Sequence, residues 1–331
     1  MKRSLIYISA LLTIATLIGC KTKDHHVELT EAQKLEVLDM KLQKHPDDDQ
    51  LLAERSLTLL NLGRTKEALF DINRAVSLKP KEVKYRIQQA DACLANGDID
   101  DSYNALTEAE RLEPDNMEVQ LKMGEITYYA GDFDRSLKSL SRVTEQEPDN
   151  RTALFMKSFI YKEKGDTASA VTLLRKVCDL YPDYAPAFEE LGILYSARGN
   201  GMAVEYLTTA MRLEPNNTNA IYALAMFYQE KQEYDNAETL YRQMLDINPN
   251  SADAWHNLGY MELFYYRDYP RAIEYMTRAL AADPNDLNSL VDRGCAYELS
   301  DQRDSARADF NAALSIDNTY QPAIDGLSRV K

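Results

Sequence analysis

The sequence predicts an all-α fold, an α-solenoid of about eight helix-turn-helix repeats, and three regularities favour this prediction. Proline recurs at nearly constant intervals, small residues recur at fixed places between the prolines, and glycine recurs where a turn is needed. Of the 331 residues, 45% are hydrophobic and 27% are charged, so the chain has enough apolar material to form a packed core. With only 12 Gly and 11 Pro, it is not a low-complexity chain.

Residues 1–19 resemble a bacterial lipoprotein signal peptide. Lys2 and Arg3 are followed by 14 uncharged residues, a stretch too short to span a bilayer as a folded helix. It ends in Leu-Ile-Gly-Cys, which resembles a lipobox. The resemblance implies cleavage before Cys20, lipidation of Cys20 and attachment to a membrane through that lipid, palmitate included. The alternative is an ordinary secretory signal that contains a cysteine.

Residues 20–29 are predicted to be the lipidated cysteine followed by a flexible tether. The tether is predicted because residues 21–29 show no apolar periodicity. Lys21 stands where Asp retains lipoproteins in the inner membrane of many two-membrane bacteria, so a lysine there resembles an outer-membrane address. We therefore expect a lipid-anchored protein of the bacterial cell envelope, in the outer membrane and facing the periplasm. Exposure at the cell surface stays open as an alternative.

A capping helix should come before the repeats, within residues 30–48. Thr30 and Gln33 have the spacing of a capping box, in which each side chain satisfies a backbone group of the other. At the other end of the chain, residues 321–331 should form a C-terminal capping helix with Ile324 and Leu327 turned inward. Both helices fit a solenoid, because its end repeats must cover an otherwise open apolar face.

Prolines divide the middle of the chain, residues 49–320, into eight units of nearly equal length. Because proline cannot continue a helix and disfavours helical geometry in the preceding residue, each one should mark the end of a helix. The prolines stand at residues 46, 80, 114, 148, 182, 215, 249 and 284, in steps of 34, 34, 34, 34, 33, 34 and 35. We number the repeats one to eight from their first residues, which are 49, 83, 117, 151, 185, 218, 252 and 287.

Small residues and glycines recur inside these units. The eighth residue is always Gly, Ala or Ser and the twentieth is always Ala or Ser, which is typical of places where two helix backbones cross closely. The fifteenth residue is glycine in repeats one to five, where it can supply the positive φ that ends a helix. These glycines are Gly63, Gly97, Gly131, Gly165 and Gly199. Each unit is thus predicted to be a helix, a glycine turn, a second helix and a proline turn.

This pattern resembles the tetratricopeptide repeat, and the seventh repeat matches it best. Trp255, Leu258 and Gly259 match its first helix, and Ala272 and Pro284 match its second helix and final turn. The resemblance covers all eight units. It implies a right-handed superhelix, with the first helices on the concave face and the second helices on the convex face, in a bacterial lipoprotein of this repeat family.

The candidate partner-binding groove follows from that resemblance. Positions 2, 5, 9, 12 and 13 of the first helices fall on one stripe of each helix, and this stripe becomes aromatic in several repeats. The candidate binding residues are Tyr128, Tyr129, Phe155, Phe159, Tyr222, Met226, Tyr260 and Phe264. Acidic residues join the stripe at Asp91, Glu125, Glu163, Glu189, Glu230 and Asp253. An apolar and basic peptide or helix would fit this surface. The alternative is that the large side chains pack the first helices against one another.

The seventh repeat contains one extra residue, in the run Phe-Tyr-Tyr-Arg-Asp-Tyr-Pro at residues 264–270. No glycine stands at its turn, and four aromatic residues lie close together there. Two interpretations are open: a local contact patch, or a longer helix that packs its extra rings.

No motif in the sequence predicts an enzyme or a cofactor. Four His and four Cys without a CxxC or HExxH motif do not indicate a metal site, and Cys93, Cys178 and Cys295 are too far apart to pair. A net charge of −15 disfavours nucleic acid as a partner. We therefore expect a membrane-anchored scaffold that binds segments of partner proteins. Two alternatives are a structural subunit of an envelope machine for secretion, gliding or pilus assembly, and a glycan-binding lipoprotein.

Overall fold

The computed structural model describes residues 29–330, and this part of the chain forms eighteen α-helices and no β-strand. The predicted all-α fold of consecutive helix pairs is therefore confirmed for these residues. The predicted signal peptide, the lipidation site Cys20 and the tether up to residue 28 lie outside the described part of the chain.

The helices are distributed over two compact units, the first ending at Pro114 and the second beginning at Asp115. In the first unit the helices are α1 (Glu31–Lys44), α2 (Asp49–Asn61), α3 (Thr65–Leu78), α4 (Val83–Ala95) and α5 (Ile99–Leu112). In the second unit they are α6 (Met117–Tyr129), α7 (Phe133–Gln146), α8 (Arg151–Glu163), α9 (Thr167–Leu180), α10 (Ala185–Ser196), α11 (Met202–Leu213), α12 (Thr218–Glu230), α13 (Tyr234–Ile247), α14 (Ala252–Met261), α15 (Tyr269–Ala282), α16 (Leu287–Leu299), α17 (Arg303–Ile316) and α18 (Gln321–Arg329).

The residue two places after each proline explains where most first helices begin. In the first repeat Asp48 accepts hydrogen bonds from the backbone N–H groups of residues 50 and 51. Asn116, Asn150, Asn217, Ser251 and Asp286 cap the third, fourth, sixth, seventh and eighth repeats in the same way. Short polar side chains in this place satisfy backbone donors that an α-helix leaves unpaired at its start.

Within each unit every helix contacts the next helix along the chain, and the small residues lie where the paired helices cross. A Cβ atom added to Gly192 would lie 2.6 Å from Leu207 Cγ and 3.1 Å from its backbone nitrogen. In the eighth repeat a Cβ on Gly294 would lie 2.6 Å from Phe310 Cε1. The alanines at the twentieth position, such as Ala237, are fully buried. The prediction of close helix crossings is confirmed.

The turns inside the repeats adopt the left-handed conformation that the glycines predicted. Gly63, Gly97, Gly131, Gly165 and Gly199 have φ values of 72°, 88°, 78°, 78° and 62°. The last three repeats form the same turn without glycine. Gln232, Arg267 and Asp301 have φ values of 61°, 58° and 60° there, although side chains rarely adopt this conformation.

A buried arginine–aspartate pair joins the two helices of both the first and the eighth repeat. Arg55 donates from Nε to Asp71 Oδ2 at 2.6 Å and from Nη2 to Asp71 Oδ1 at 2.8 Å. In the eighth repeat Arg293 makes the same two bonds to Asp309, at 2.8 Å and 2.7 Å. Two parallel bonds fix the orientation of both side chains, so these pairs hold the helices of their repeats in register.

The capping box at the start of α1 forms as predicted, with both reciprocal bonds between Thr30 and Gln33 present. At the other end, the prediction that Ile324 turns inward is wrong, because its side chain is 39% exposed. The buried face of α18 instead carries Ala323 and Gly326. A Cβ on Gly326 would lie 2.5 Å from Phe310 Cε1, so α18 packs too closely at this point for a larger side chain.

Candidate functional site

The two phenylalanines of the predicted binding stripe lie inside the second unit. Phe155 and Phe159 are 1% and 2% exposed, and their rings pack edge to face with centroids 4.9 Å apart. The ring of Tyr184, which directly precedes α10, covers Phe155 at 5.2 Å. The expectation that these two residues face an open groove is therefore wrong, and the packing alternative describes them.

Tyr128 and Tyr129 at the end of α6 are half-buried. Their rings meet at 6.0 Å, and the Tyr129 hydroxyl donates to Glu125 Oε1 at 3.3 Å. Burial raises the pKa of Tyr128 to about 12 and also raises that of Tyr129, so both hydroxyls stay neutral at physiological pH. The stripe residues Glu125 and Glu189 are 8% and 2% exposed, which leaves little of their charge to attract a partner.

Tyr222 and Met226 on α12 are also half-buried, and both contact the second helix of their own repeat. The hydroxyl of Tyr241 on α13 donates to Gln229 Oε1 at 2.9 Å and lies 3.2 Å from Met226 Sδ. The Tyr222 ring lies 6.3 Å from the Tyr241 ring. These two candidates belong to the stripe, and they also pack α12 against α13.

The seventh repeat carries the candidates with the most open surface. His256, Tyr260 and Phe264 follow one another at intervals of four residues, with ring centroids 6.3 Å and 4.5 Å apart. Tyr260 is half-buried between the other two rings, whereas Phe264 is 46% exposed. The two predicted residues of this repeat therefore lie together on one continuous face.

The extra residue of the seventh repeat is accommodated as a π-helical turn at Glu262–Tyr266, directly after α14. Tyr265 stacks on Tyr234 of α13 with ring centroids 4.0 Å apart, and Tyr266 meets the same ring edge to face at 6.4 Å. Tyr265 and Tyr266 remain 38% and 44% exposed. Both open interpretations are thus partly right, because the helix is extended and its rings still form a surface patch. We call Tyr234, Tyr260, Phe264, Tyr265 and Tyr266 the ring cluster.

A buried glutamate lies at the start of this π-helical turn. Glu262 is 3% exposed, and its Oε1 lies 3.1 Å from Nη1 of Arg271. Its other carboxylate oxygen, Oε2, has no hydrogen-bond partner among the described residues. Burial raises the pKa of Glu262, and Arg271 opposes this shift only in part. Irregular helical turns of this kind occur frequently at functional sites.

Next to the ring cluster lies an open cavity of about 270 Å³ between α14, α16 and the start of α18. We call it the C-terminal cavity, and it is lined by His256, Tyr260, Asn288, Val291, Asp292, Tyr320 and Pro322. His256 Nε2 lies 3.1 Å from Asp292 Oδ2, and the Tyr320 hydroxyl donates to Asn288 Oδ1 at 2.7 Å. Sequence reasoning missed this cavity, because Asp292 lies outside the stripe positions and Tyr320 comes from the turn before the last helix.

A second cavity of about 310 Å³ lies in the first unit between α3, α4 and α5. Its polar walls bond to each other: Gln89 donates to Asn73 Oδ1 at 2.7 Å, and Arg86 donates to Gln89 Oε1 at 3.1 Å. Cys93 also lines it, and burial raises the pKa of this thiol to about 11, so it is not a reactive thiolate.

Three further observations concern the described residues as a whole. Between residues 29 and 330, His, Cys, Asp and Glu side chains nowhere come together in a group of three or more that could hold a metal ion. The three cysteines of this part of the chain are unpaired. None of its helices has the length and apolar character needed to cross a bilayer.

Comparisons with known proteins return one repeat family along most of the chain. Models of the tetratricopeptide repeat match residues 50–82, 94–156, 152–184, 202–259 and 287–320. The curated relative Superkiller protein 3 of Schizosaccharomyces pombe is 31% identical over 122 residues, which is 35% of this chain but 9% of that protein. The general transcriptional corepressor trfA of Dictyostelium discoideum is 23% identical over 122 residues, 35% of this chain and 8% of that protein.

Two solved bacterial structures share the fold. The C-terminal part of a TPR repeat-containing protein from Cytophaga hutchinsonii has a TM-score of 0.61 and 17% identity, covering 74% of this chain and 99% of that one. A tetratricopeptide repeat protein from Parabacteroides merdae has a TM-score of 0.57 and 19% identity, covering 75% of this chain and 98% of that one. At these identities the likeness establishes the architecture alone.

Proposed function

The chain belongs to the tetratricopeptide repeat family, and we propose that it is a membrane-anchored scaffold that holds a segment of a partner protein on the first helices of its second unit. Repeat proteins of this family are generally non-catalytic and serve protein–protein interaction. Beyond this general role, we propose that the partner binds at the ring cluster and that the protein is located in the bacterial envelope.

The observation that carries the proposal is the exposure of three consecutive aromatic rings. Phe264, Tyr265 and Tyr266 are each more than a third exposed, although large rings are usually buried. Ring contacts with Tyr234 and Tyr260 hold them in place before any partner arrives. Rings that are already ordered lose little conformational entropy on binding, and aromatic anchors dominate the binding energy of many interfaces.

The charges beside the ring cluster favour a basic partner segment. The Tyr266 hydroxyl lies 3.5 Å from Asp235 Oδ1, and burial together with Glu238 and Asp235 raises the pKa of Tyr266. The whole chain carries a net charge of −15. An apolar segment with lysine or arginine residues would complement both the rings and the charge.

In-cell photocrosslinking tests this site. A benzoylphenylalanine introduced at Tyr266 should form a discrete adduct with one partner protein. The matched control is Phe70 of α3, which is 63% exposed but lies in the first unit, and the same group there should not form that adduct. Tyr260→Ala with Phe264→Ala should abolish the Tyr266 adduct while the circular dichroism spectrum stays helical. An adduct that survives this double variant would contradict the proposed site.

The same experiment separates the two alternatives that the sequence left open. A structural subunit of an envelope machine would yield adducts with a large complex that do not depend on the ring cluster. A glycan-binding lipoprotein would instead lose binding to an oligosaccharide when the rings are removed, and would form no protein adduct at Tyr266.

The membrane location rests on the lipobox at residues 17–20, and we propose Cys20 as the lipid-bearing residue. In this proposal, the lipid on Cys20 anchors the repeats to the outer membrane of the bacterium, where they face the periplasm. Labelling with a palmitate analogue should mark the natural chain and not Cys20→Ser. Cys93→Ser is the matched control, because it removes a buried cysteine that is not part of the lipobox sequence, and this variant should keep the label. A labelled Cys20→Ser protein in the membrane fraction would rule the proposal out.

A further inference from the structure

We propose that the C-terminal cavity binds the guanidinium group of an arginine side chain. The inference deepens the proposed function, and it relies on that function only for the source of the arginine, a basic segment docked on the adjacent ring cluster. The site combines an aspartate, tyrosine rings and an apolar wall, which together match a flat cation.

The negative charge of the cavity comes from Asp292. One of its oxygens, Oδ2, lies 3.1 Å from His256 Nε2, while Oδ1 receives no hydrogen bond from residues 29–330. The side chains of Asp292 and His256 are only 17% and 19% exposed. A carboxylate with a vacant oxygen in a partly desolvated setting forms strong charge-assisted hydrogen bonds with an incoming cation.

Among the described lining residues, the imidazole of His256 is the hydrogen-bond partner of this carboxylate. Neither lysine nor arginine is among the seven described lining residues. The arginines of the helices that line the cavity are bound elsewhere: Arg293 of α16 pairs with Asp309, and Arg329 of α18 pairs with Glu298. A cation from another molecule is therefore what the cavity lacks.

The rings explain why the cation should be a guanidinium. Tyr260 and Tyr320 line the same cavity as Asp292. Burial raises the pKa of both tyrosines, and the Asp292 charge is a further cause for each of them. A guanidinium is planar, so it can lie against an aromatic ring while its N–H groups reach the carboxylate, whereas an ammonium is a compact and strongly hydrated charge.

The size and position of the cavity fit one side chain of a docked segment. Its volume of about 270 Å³ is below the range of pockets that enclose whole small molecules. Tyr260 belongs to both the cavity and the ring cluster, since its ring lies 4.5 Å from Phe264. A segment on the ring cluster can thus place an arginine in the cavity while its backbone stays outside.

Small probes test the cavity without the partner. The full chain is titrated with N-acetyl-arginine-N′-methylamide, with its neutral citrulline counterpart and with its lysine counterpart, and binding is followed by the imidazole NMR signal of His256. The chain has only four histidines, so His256→Gln identifies that signal. We expect the arginine probe to bind about tenfold more tightly than the citrulline probe, with lysine between them.

Two pairs of variants make the result decisive. Asp292→Asn should remove the preference for arginine over citrulline, whereas Glu118→Gln, which removes one charge from an exposed residue of α6, should leave it unchanged. Tyr320→Phe keeps the ring and should keep the preference; Tyr320→Leu should weaken arginine binding several-fold.

Equal binding of arginine and citrulline, or an unchanged preference in Asp292→Asn, would overturn the inference. That failure would leave the crosslink at Tyr266 unaffected. Loss of the crosslink with arginine binding intact would instead contradict the proposed function alone, so the two results can be told apart.

Discussion

Asp71 is a buried carboxylate whose charge is compensated by one arginine. It is 1% exposed and receives two bonds from Arg55, which also donates to Asp39 Oδ1 at 2.8 Å. A buried ion pair adds little stability compared with an apolar pair of the same shape, but removing one partner leaves the other charge uncompensated. The pair therefore makes the first repeat sensitive to single substitutions.

Asp71→Ala should lower the free energy of unfolding of the first repeat by about 3 kcal/mol, because Arg55 then loses its buried partner. Native-state hydrogen exchange of the α2 and α3 amides measures this loss. Asp39→Ala is the matched control: the Asp39 side chain is 47% exposed, so its bond to the same arginine should contribute less than about 1 kcal/mol. Equal losses in both variants would show that burial does not decide the effect.

Glu262 should make the seventh repeat sensitive to pH. Burial raises its pKa above the ordinary 4.5, so the folded chain holds this proton more tightly than the unfolded chain. The resulting contribution to stability is complete below pH 4.5 and is lost as the pH rises through the folded pKa. Compared with Glu262→Gln, which does not titrate, the natural chain should lose local stability as the pH is raised above 4.5.

Hydrogen exchange of the α14 and α15 amides, corrected for the intrinsic effect of pH on exchange, measures this difference. Glu274 on α15 is an exposed glutamate paired with Arg278, and Glu274→Gln should follow the natural chain at every pH. If the curves of the natural chain and Glu262→Gln run parallel, the proton on Glu262 does not affect folding.

At the scale of the single element, the turns inside the last three repeats are places where a substitution can raise thermal stability. Gln232 has φ 61°, a conformation that costs a residue with a side chain about 1 kcal/mol and that glycine adopts freely. Gln232→Gly should therefore raise the midpoint of thermal unfolding, in line with about 1 kcal/mol. The opposite change, Gly165→Ala at φ 78°, should lower it by a similar amount. A loss of stability in Gln232→Gly would mean that the glutamine side chain outweighs the backbone strain.

The helices could be predicted from the sequence because the repeat supplies the same information eight times. The prolines, the small crossing residues and, in five repeats, the turn glycines point to the same boundaries, so errors in one unit are corrected by the others. The π-helical turn after α14 was not predictable in this way, because its extra residue occurs once. A single insertion can lengthen a loop or a helix, and only the packing of Tyr265 on Tyr234 decides between them.

The candidate site could be predicted only in part. Periodicity shows which face of a helix carries a ring, and it placed Tyr260 and Phe264 correctly on one face. It does not show what covers that face, so Phe155 was expected on the surface although Tyr184, at the end of the same repeat, covers it. The C-terminal cavity depends on residues from three helices, and such a meeting leaves no local pattern in the sequence.

At the scale of the whole molecule, damage to one repeat should stay near that repeat, because a solenoid repeat contacts only its neighbours. In Gly192→Ala the new Cβ would lie 2.6 Å from Leu207 Cγ, and we expect a loss of about 1–3 kcal/mol in the fifth repeat. Gly201→Ala is the matched control, since nothing lies within 4 Å of its Cβ. Hydrogen exchange should show lost protection in α10 and α11 and retained protection in α16 and α17. Loss of protection in all helices of the second unit would show that this unit unfolds as one cooperative body.

The extra residue of the seventh repeat also affects the direction and the alignment in which a partner segment can bind. A strictly periodic array offers a bound segment many equivalent alignments, each displaced by one repeat, and it does not favour one of them. The π-helical turn makes one repeat different from its neighbours, because it alone carries the three exposed rings at residues 264–266. Tyr260 is shared by the rings and the C-terminal cavity, with His256 of the cavity four residues before it and Phe264 four residues after it. In the proposed complex, a segment that fits both can bind in only one register and one polarity. One inserted residue thus turns a repetitive surface into one with a defined start point.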